Sequence, residues 1–273
     1  MAPGCSKMAV KLLSLVLAAF CVHGCGDEVD DPAQRLAPGS SPPFTLVSTQ
    51  PSPDQSDVPR NADIVLRFSD FPDPATLFYP WVSIGPRSDP VPFTSEVRLV
   101  DREVRFRPHR PLLAQTEIVV TVSRRLHALS GRPLGNSFRM VFRTGFALLP
   151  DAPVAIAPRL AELAGPSGIF AQRCAQAGCH RRDEAGFAAA GLDFAQDPRS
   201  LREHVLSDRR GGLDALRWVD VGRPEASYLL RKLLAAQPEA FVRITGSAMP
   251  LAQPPLSSDA LRTIETWIRM GAN

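Results

Sequence analysis

In Ile169-Phe170-Ala171-Gln172-Arg173-Cys174-Ala175-Gln176-Ala177-Gly178-Cys179-His180, two cysteines separated by four residues are followed at once by a histidine. Two thiols and an adjacent imidazole form the attachment signature of c-type haem. The thiols add across the two vinyl groups and fix the porphyrin edge, and the histidine offers a ring nitrogen to iron. The common spacing has two residues between the cysteines; here the additional ones bulge outward, and Gly178 gives backbone freedom just before the second anchor. Ile169 and Phe170 open a helix that runs into Cys174.

Such a haem takes a second axial ligand, commonly a methionine, which raises the potential. Downstream there are two candidates. Met249 lies in Gly246-Ser247-Ala248-Met249-Pro250-Leu251, a loop stiffened by Pro250, Pro254 and Pro255. Met270 lies at the far end of the last helix and reads as packing, so Met249 is the expected ligand. His204 would make a bis-histidine site, but Leu201 to Leu206 has the pattern of an amphipathic helix with a surface histidine. Pro224 sits at a helix start, Leu229, Leu230, Leu233 and Leu234 form one apolar stripe, and Ser257-Ser258 caps a last helix whose Leu261, Ile264, Trp267 and Ile268 face one side until Gly271.

These segments, in order, resemble the c-type cytochrome domains of bacterial envelope proteins. The resemblance rests on Phe170 with Cys174 to His180, Ala190-Gly191-Leu192-Asp193-Phe194, Val221 to Lys232, Ala248-Met249-Pro250-Leu251, and Trp267-Ile268-Arg269-Met270-Gly271-Ala272. It implies a class I-like all-α cytochrome c domain over residues 166–273. In it the attachment helix crosses the C-terminal helix, with Phe170 and Trp267 at the crossing. It also implies one covalent haem c, with Cys174 and Cys179 as thioether anchors and His180 and Met249 as axial ligands of the iron. Arg223 stands where such domains often carry an acid.

Other chemistries compete for the same residues. A Cys174–Cys179 disulfide in a cofactor-free surface-binding protein is sterically possible, but leaves the Cys179-His180 adjacency and the Met249 loop without a role. A zinc site from Cys174, Cys179, His180 and His204 does not have structural zinc spacing. A catalytic haem, or a haem serving as redox subunit of an enzyme, meets the absence of a second haem motif and, with Met ligation, of an open iron position. Electron carrier, not enzyme, is the expected class.

Upstream the texture changes. Ile64, Leu66 and Phe68 alternate with Val65 and Arg67; Val97 and Leu99, Val104 and Phe106, then Ile118, Val120 and Val122, and finally Phe138, Met140 and Phe142 repeat the pattern. Period-two alternation with arginines on the other side means strands buried on one face. Asn61-Ala62, Ser88-Asp89-Pro90 and Ser130-Gly131-Arg132-Pro133 supply turns. Residues 44–146 therefore read as a β-sandwich. Pro53 to Ser69 (PDQSDVPRNADIVLRFS), Val104 to Pro108 and Leu129 to Gly145 resemble a bacterial Ig-like domain. No catalytic constellation stands out in it, and His109 and His127 read as isolated, solvated residues; a spacer or docking role is expected. Residues 147–165, with Pro150, Pro153 and Pro158, join the two parts, and Arg159 to Leu163 reads as one helical turn or two.

At the N-terminus, Lys7 and Lys11 precede the apolar run Leu12 to Val22, an export signal too short to span a bilayer. Val22-His23-Gly24-Cys25 resembles the lipobox of bacterial lipoproteins, with His23 where a small residue is usual. The resemblance implies removal of residues 1–24, lipid on Cys25, and a tether over residues 25–43. Gly26, where an Asp would signal inner-membrane retention, points to the outer membrane, facing the periplasm or the surface. An ordinary secretory signal with Cys25 free is the alternative. Cleavage takes two lysines and no acid from a net charge of +3, leaving +1. Without a Lys/Arg run, the chain has no electrostatic footprint for nucleic acid. The expected partners are a membrane, through the lipid, and a redox protein. Proline, 27 of 273 residues against 18 glycines, excludes long uninterrupted helices and favours turns and stiff joints.

Overall fold

The computed structural model describes residues 42–87, 89–151, 156–207, 216–238 and 240–273, the side chains of His204 and Ser207 excepted. The signal segment, Cys25 and nearly all of the tether lie outside the described residues. So do Ser88, in one expected turn, and the His204 side chain. Among the described residues, no helix is long and apolar enough to cross a membrane.

Seven strands form the first part: β1 (Leu46–Gln50), β2 (Ile64–Phe68), β3 (Val82–Gly85), β4 (Phe93–Arg98), β5 (Glu103–Pro108), β6 (Glu117–Val122) and β7 (Phe138–Arg143). They make two antiparallel sheets, ordered β1-β2-β5-β4 and β3-β6-β7. Register follows the apolar alternation, because a slip of one residue would turn every inward side chain to water. Ile64 pairs with Phe106 and Leu66 with Val104, while Val120 stands between Ile84 and Met140. All seven are buried in one core between the sheets.

Two strands escape the sequence pattern for physical reasons. β1 reads LVSTQ, largely polar, and is placed by pairing with β2. β3 reads VSIG, too short for a period to show. Leu99, grouped by sequence with Val97, is not in a strand. β4 ends at Arg98, and Leu99 turns away from the sandwich core into that of the second part.

That second part is helical: α1 (Leu160–Ala164), α2 (Ile169–Arg173), α3 (Pro198–Ser207), α4 (Tyr228–Leu234) and α5 (Ser258–Arg269), with single 3-10 turns at Ala189–Gly191 and Pro224–Ala226. α1 falls inside the stretch expected to be a joint. Its Leu160 and Leu163 are buried in the helical core, and the Leu160 N–H donates to the Asn273 carbonyl at 2.7 Å. Ser257 caps α5, its hydroxyl accepting from the Ala260 N–H at 3.2 Å, and the helix buries Leu261, Ile264, Trp267 and Ile268. α2 meets α5 through Phe170 and Trp267, whose rings stand edge to face with centroids 6.0 Å apart.

The two parts share a seam. Glu265 of α5, only 2% exposed, accepts from the Leu99 N–H at 2.7 Å and the Val100 N–H at 3.4 Å. Arg269, one turn on, donates to the same carboxylate and to the Val97 carbonyl, each at 2.7 Å. Arg262 bonds Asp101 at 2.7 Å. On another side of the seam, the Arg132 guanidinium pairs with buried Asp70 and lies 4.2 Å from the ring centre of Phe241. Phe71 and Leu99 of the sandwich belong to the helical core itself.

Candidate functional site

α2 delivers Cys174 at its C-terminus, where the Cys174 N–H still bonds the Phe170 carbonyl at 2.9 Å. From there the chain makes a compact loop. The Cys179 N–H donates to the Gln176 carbonyl at 3.0 Å, and the His180 N–H reaches back to the Cys174 carbonyl at 3.3 Å. Gly178 between them has φ +78°, a left-handed conformation that a side chain resists. The following segment braces the loop: Ala189 N–H donates to the Cys179 carbonyl and Phe194 N–H to the His180 carbonyl, both at 2.8 Å.

His180 is oriented by these same neighbours. Its Nδ1 lies 3.1 Å from the Ala189 carbonyl and 3.2 Å from the Leu192 carbonyl. A carbonyl only accepts, so Nδ1 carries the proton and Nε2 keeps its lone pair. Phe194 stands perpendicular to the imidazole, centroids 5.6 Å apart. Burial holds the His180 pKa below its usual value despite these bonds, and the Lys232 ammonium works in the same direction. The ring is therefore neutral at pH 7, the state that binds a metal. Burial also pushes the Cys174 thiol up to about 12, so it is a thiol and not a thiolate.

A cavity of about 310 Å³ opens beside this loop. Cys174, Cys179, His180 and Met249 all line it, although Met249 is far away in sequence. Leu192, Phe194, Trp218, Leu229 and Leu233 supply apolar wall. Met270 is not part of the lining; it caps α5. Cys174 and Cys179 are not bonded to each other. Among the described residues, no group of three or more His, Cys, Asp and Glu side chains is placed to hold a metal ion.

The sequence pattern gave no warning of two polar residues at this cavity. Tyr228 and Lys232 sit one turn apart on α4 among buried leucines, and both line the cavity. The one available signal was Lys232 itself, a charge inserted into an apolar stripe. Arg173 also lines the cavity and bonds the Gln253 side chain and the Pro254 carbonyl beyond it.

No curated protein matches the chain. Its residues 40–144 match the family model described as a bacterial Ig-like domain. The sandwich is a bacterial Ig-like domain. Solved structures resemble part of the chain loosely. CopC from Methylosinus trichosporium OB3b is 19% identical with a TM-score of 0.31, the match covering 41% of this chain and 99% of that one. PcoC from Escherichia coli, titled a methionine-rich copper resistance protein, is 18% identical with a TM-score of 0.30, over 38% of this chain and 99% of its own. The N-terminal part of the bacterial S-layer protein SbsC is 15% identical with a TM-score of 0.31, and this chain spans a quarter of its length, 25%. In the Ig-like domain, β1-β2-β5-β4 against β3-β6-β7 is the strand arrangement of a seven-stranded Ig constant-type sandwich.

Proposed function

We propose that the helical part is a mono-haem c-type cytochrome domain serving electron transfer in the cell envelope, carried on the Ig-like domain and anchored by lipid on Cys25. One observation carries the reading. Two thiols, a neutral imidazole with its Nε2 lone pair available and a thioether from a distant loop line one largely apolar cavity.

The donor set suits haem c better than the rival groups. A structural zinc site takes four ligands, and among the described residues no group of three or more His, Cys, Asp and Glu side chains is placed to hold a metal ion, whereas a pair of thiols beside a neutral histidine is what covalent attachment requires. Cys174 and Cys179 would hold the group through thioether bonds. His180 and Met249 would hold its iron. When bound, the haem supplies a reversible one-electron couple, with a potential raised by methionine ligation and burial.

The chain's own residues do the rest. Ala189 and Leu192 fix the His180 tautomer and ring orientation, the outer-shell role that sets ligand basicity. Phe194, Leu229 and Leu233 keep water from the cavity interior. The seam at Glu265 and Arg132 makes the Ig-like domain a docking or spacer module held in one orientation to the redox domain. The partners are a membrane, through the lipid, and an electron-exchanging protein.

The test is direct. Full-length protein is expressed for export with a cytochrome c maturation system and extracted with acid acetone. Haem absorbance that stays with the polypeptide at one per chain supports the reading. A colourless protein overturns it, and thiol titration then reports whether Cys174 and Cys179 have joined as a disulfide.

A further inference from the structure

The segment that carries Met249, residues 245–249, is bonded to α4. Tyr228 Oη donates to the Thr245 carbonyl at 2.7 Å and accepts from the Thr245 N–H at 3.2 Å. One turn along α4, Lys232 Nζ donates to the Ser247 carbonyl at 2.7 Å, and the Lys232 backbone carbonyl accepts from the Met249 N–H at 3.0 Å. Residues 245, 247 and 249 are thus each bonded to α4. Gly246, at φ +66°, lets the loop close on the ammonium, since a Cβ there would lie 3.4 Å from Nζ.

Placing an ammonium here is costly. Lys232 is only 8% exposed, and a buried charge is disfavoured unless it is well bonded. A leucine would continue the apolar stripe of α4. The lysine does something that a leucine does not: it seizes a loop carbonyl two residues before Met249. α4 itself is immobilised by Leu229, Leu230, Leu233 and Leu234, all buried, and by the Leu229 N–H on the Trp218 carbonyl at 3.0 Å. Burial pushes the Tyr228 phenol up, so it stays protonated and remains a donor.

We propose that Tyr228 and Lys232 form a clamp that holds Met249 in the cavity it shares with His180, as the second residue to hold the haem iron. This rests on the haem reading, and it adds positioning residues that do not touch the iron. Removing the Lys232 bond frees the loop and lowers the ratio of Met-ligated to unligated protein by about tenfold or more.

The experiment uses the full chain, matured with haem, as wild type, Lys232→Leu, Lys232→Arg and Tyr228→Phe. Covalent haem per chain, the Met-to-iron charge-transfer band and the reduction midpoint are measured on each. The clamp predicts one covalent haem in every variant. In Lys232→Leu the band is lost and the midpoint falls, Lys232→Arg recovers part of both, and Tyr228→Phe is weakened less. A coloured wild type whose Lys232→Leu variant keeps band and midpoint overturns the clamp alone. A colourless wild type overturns the haem reading and the clamp's role with it. If Lys232→Leu does not mature, Tyr228→Phe decides, and an unchanged band in it overturns the clamp.

Discussion

Replacing Glu265 with alanine is expected to cost about 3–5 kcal/mol, the range for removing one partner of a buried, hydrogen-bonded charge pair. The magnitude follows from what the carboxylate touches. It accepts two backbone N–H groups from the turn after β4 and one guanidinium nitrogen. After truncation, the Leu99 N–H stays buried without its acceptor, a loss of about 1–3 kcal/mol by itself. Arg269 loses its carboxylate and keeps the Val97 carbonyl and a longer approach of 3.7 Å to Glu96. The removed side chain leaves a void against Leu99, which is fully buried. Denaturant unfolding at pH 7, followed by tryptophan fluorescence and circular dichroism together, measures the change. Trp267 and Trp218 report the helical part, and far-ultraviolet ellipticity reports the whole chain. A variant within 0.5 kcal/mol of wild type, by both probes, would show that the seam is mere contact and refute the reasoning (about 0.5 kcal/mol being the usual spread of inconsequential surface changes).

Three further outcomes are expected. Burial raises the Glu265 carboxyl above its ordinary 4.5, outweighing Arg269 and the two N–H groups; the folded protein then holds this proton to higher pH than the unfolded chain, so stability falls as pH rises from 4.5 through the raised value. The difference between wild type and Glu265→Gln, measured across that window, should shrink as pH rises, and a constant difference would refute it. Gly178→Ala meets no atom within 4 Å and adds only the strain of a left-handed residue, a cost of about 1–2 kcal/mol, whereas Gly168→Ala puts a Cβ 2.2 Å from the Leu163 carbonyl oxygen and should cost considerably more; thermal unfolding of the pair checks the ordering. Met249→Ala should keep covalent haem but lose the Met-to-iron charge-transfer band, while Met270→Ala, at the α5 cap, should keep both.

Four sets of alternating residues were legible because one face of each strand is buried and the other wet: Ile64, Leu66 and Phe68 declare β2 without help. β1 was not legible, since its fold comes from hydrogen bonds to β2 and not from its own side chains. The helical elements showed their stripes, and the motif led to Cys174, Cys179 and His180. What no pattern in the chain reveals is convergence. The nearness of Met249 to the Cys174–His180 loop depends on how α4 and the 245–249 loop pack, and the stripe of α4 marks Lys232 as odd without showing what it holds. Glu265 was hidden likewise, because the groups it satisfies are backbone N–H groups of another domain.

The strand β4 lies at the end of its sheet, where backbone groups have no neighbouring strand. Such a rim is a template onto which another chain can add itself. Here Arg269 takes up the Val97 carbonyl, and Glu265 the N–H groups just beyond it. The helical part therefore occupies the end of that rim with side-chain bonds instead of another strand. Severed at the joint, the sandwich would carry an adhesive rim, with Phe71 and Leu99 uncovered beside it. Proteolytic removal of the helical part would leave behind a fragment inclined to stack on its own copies.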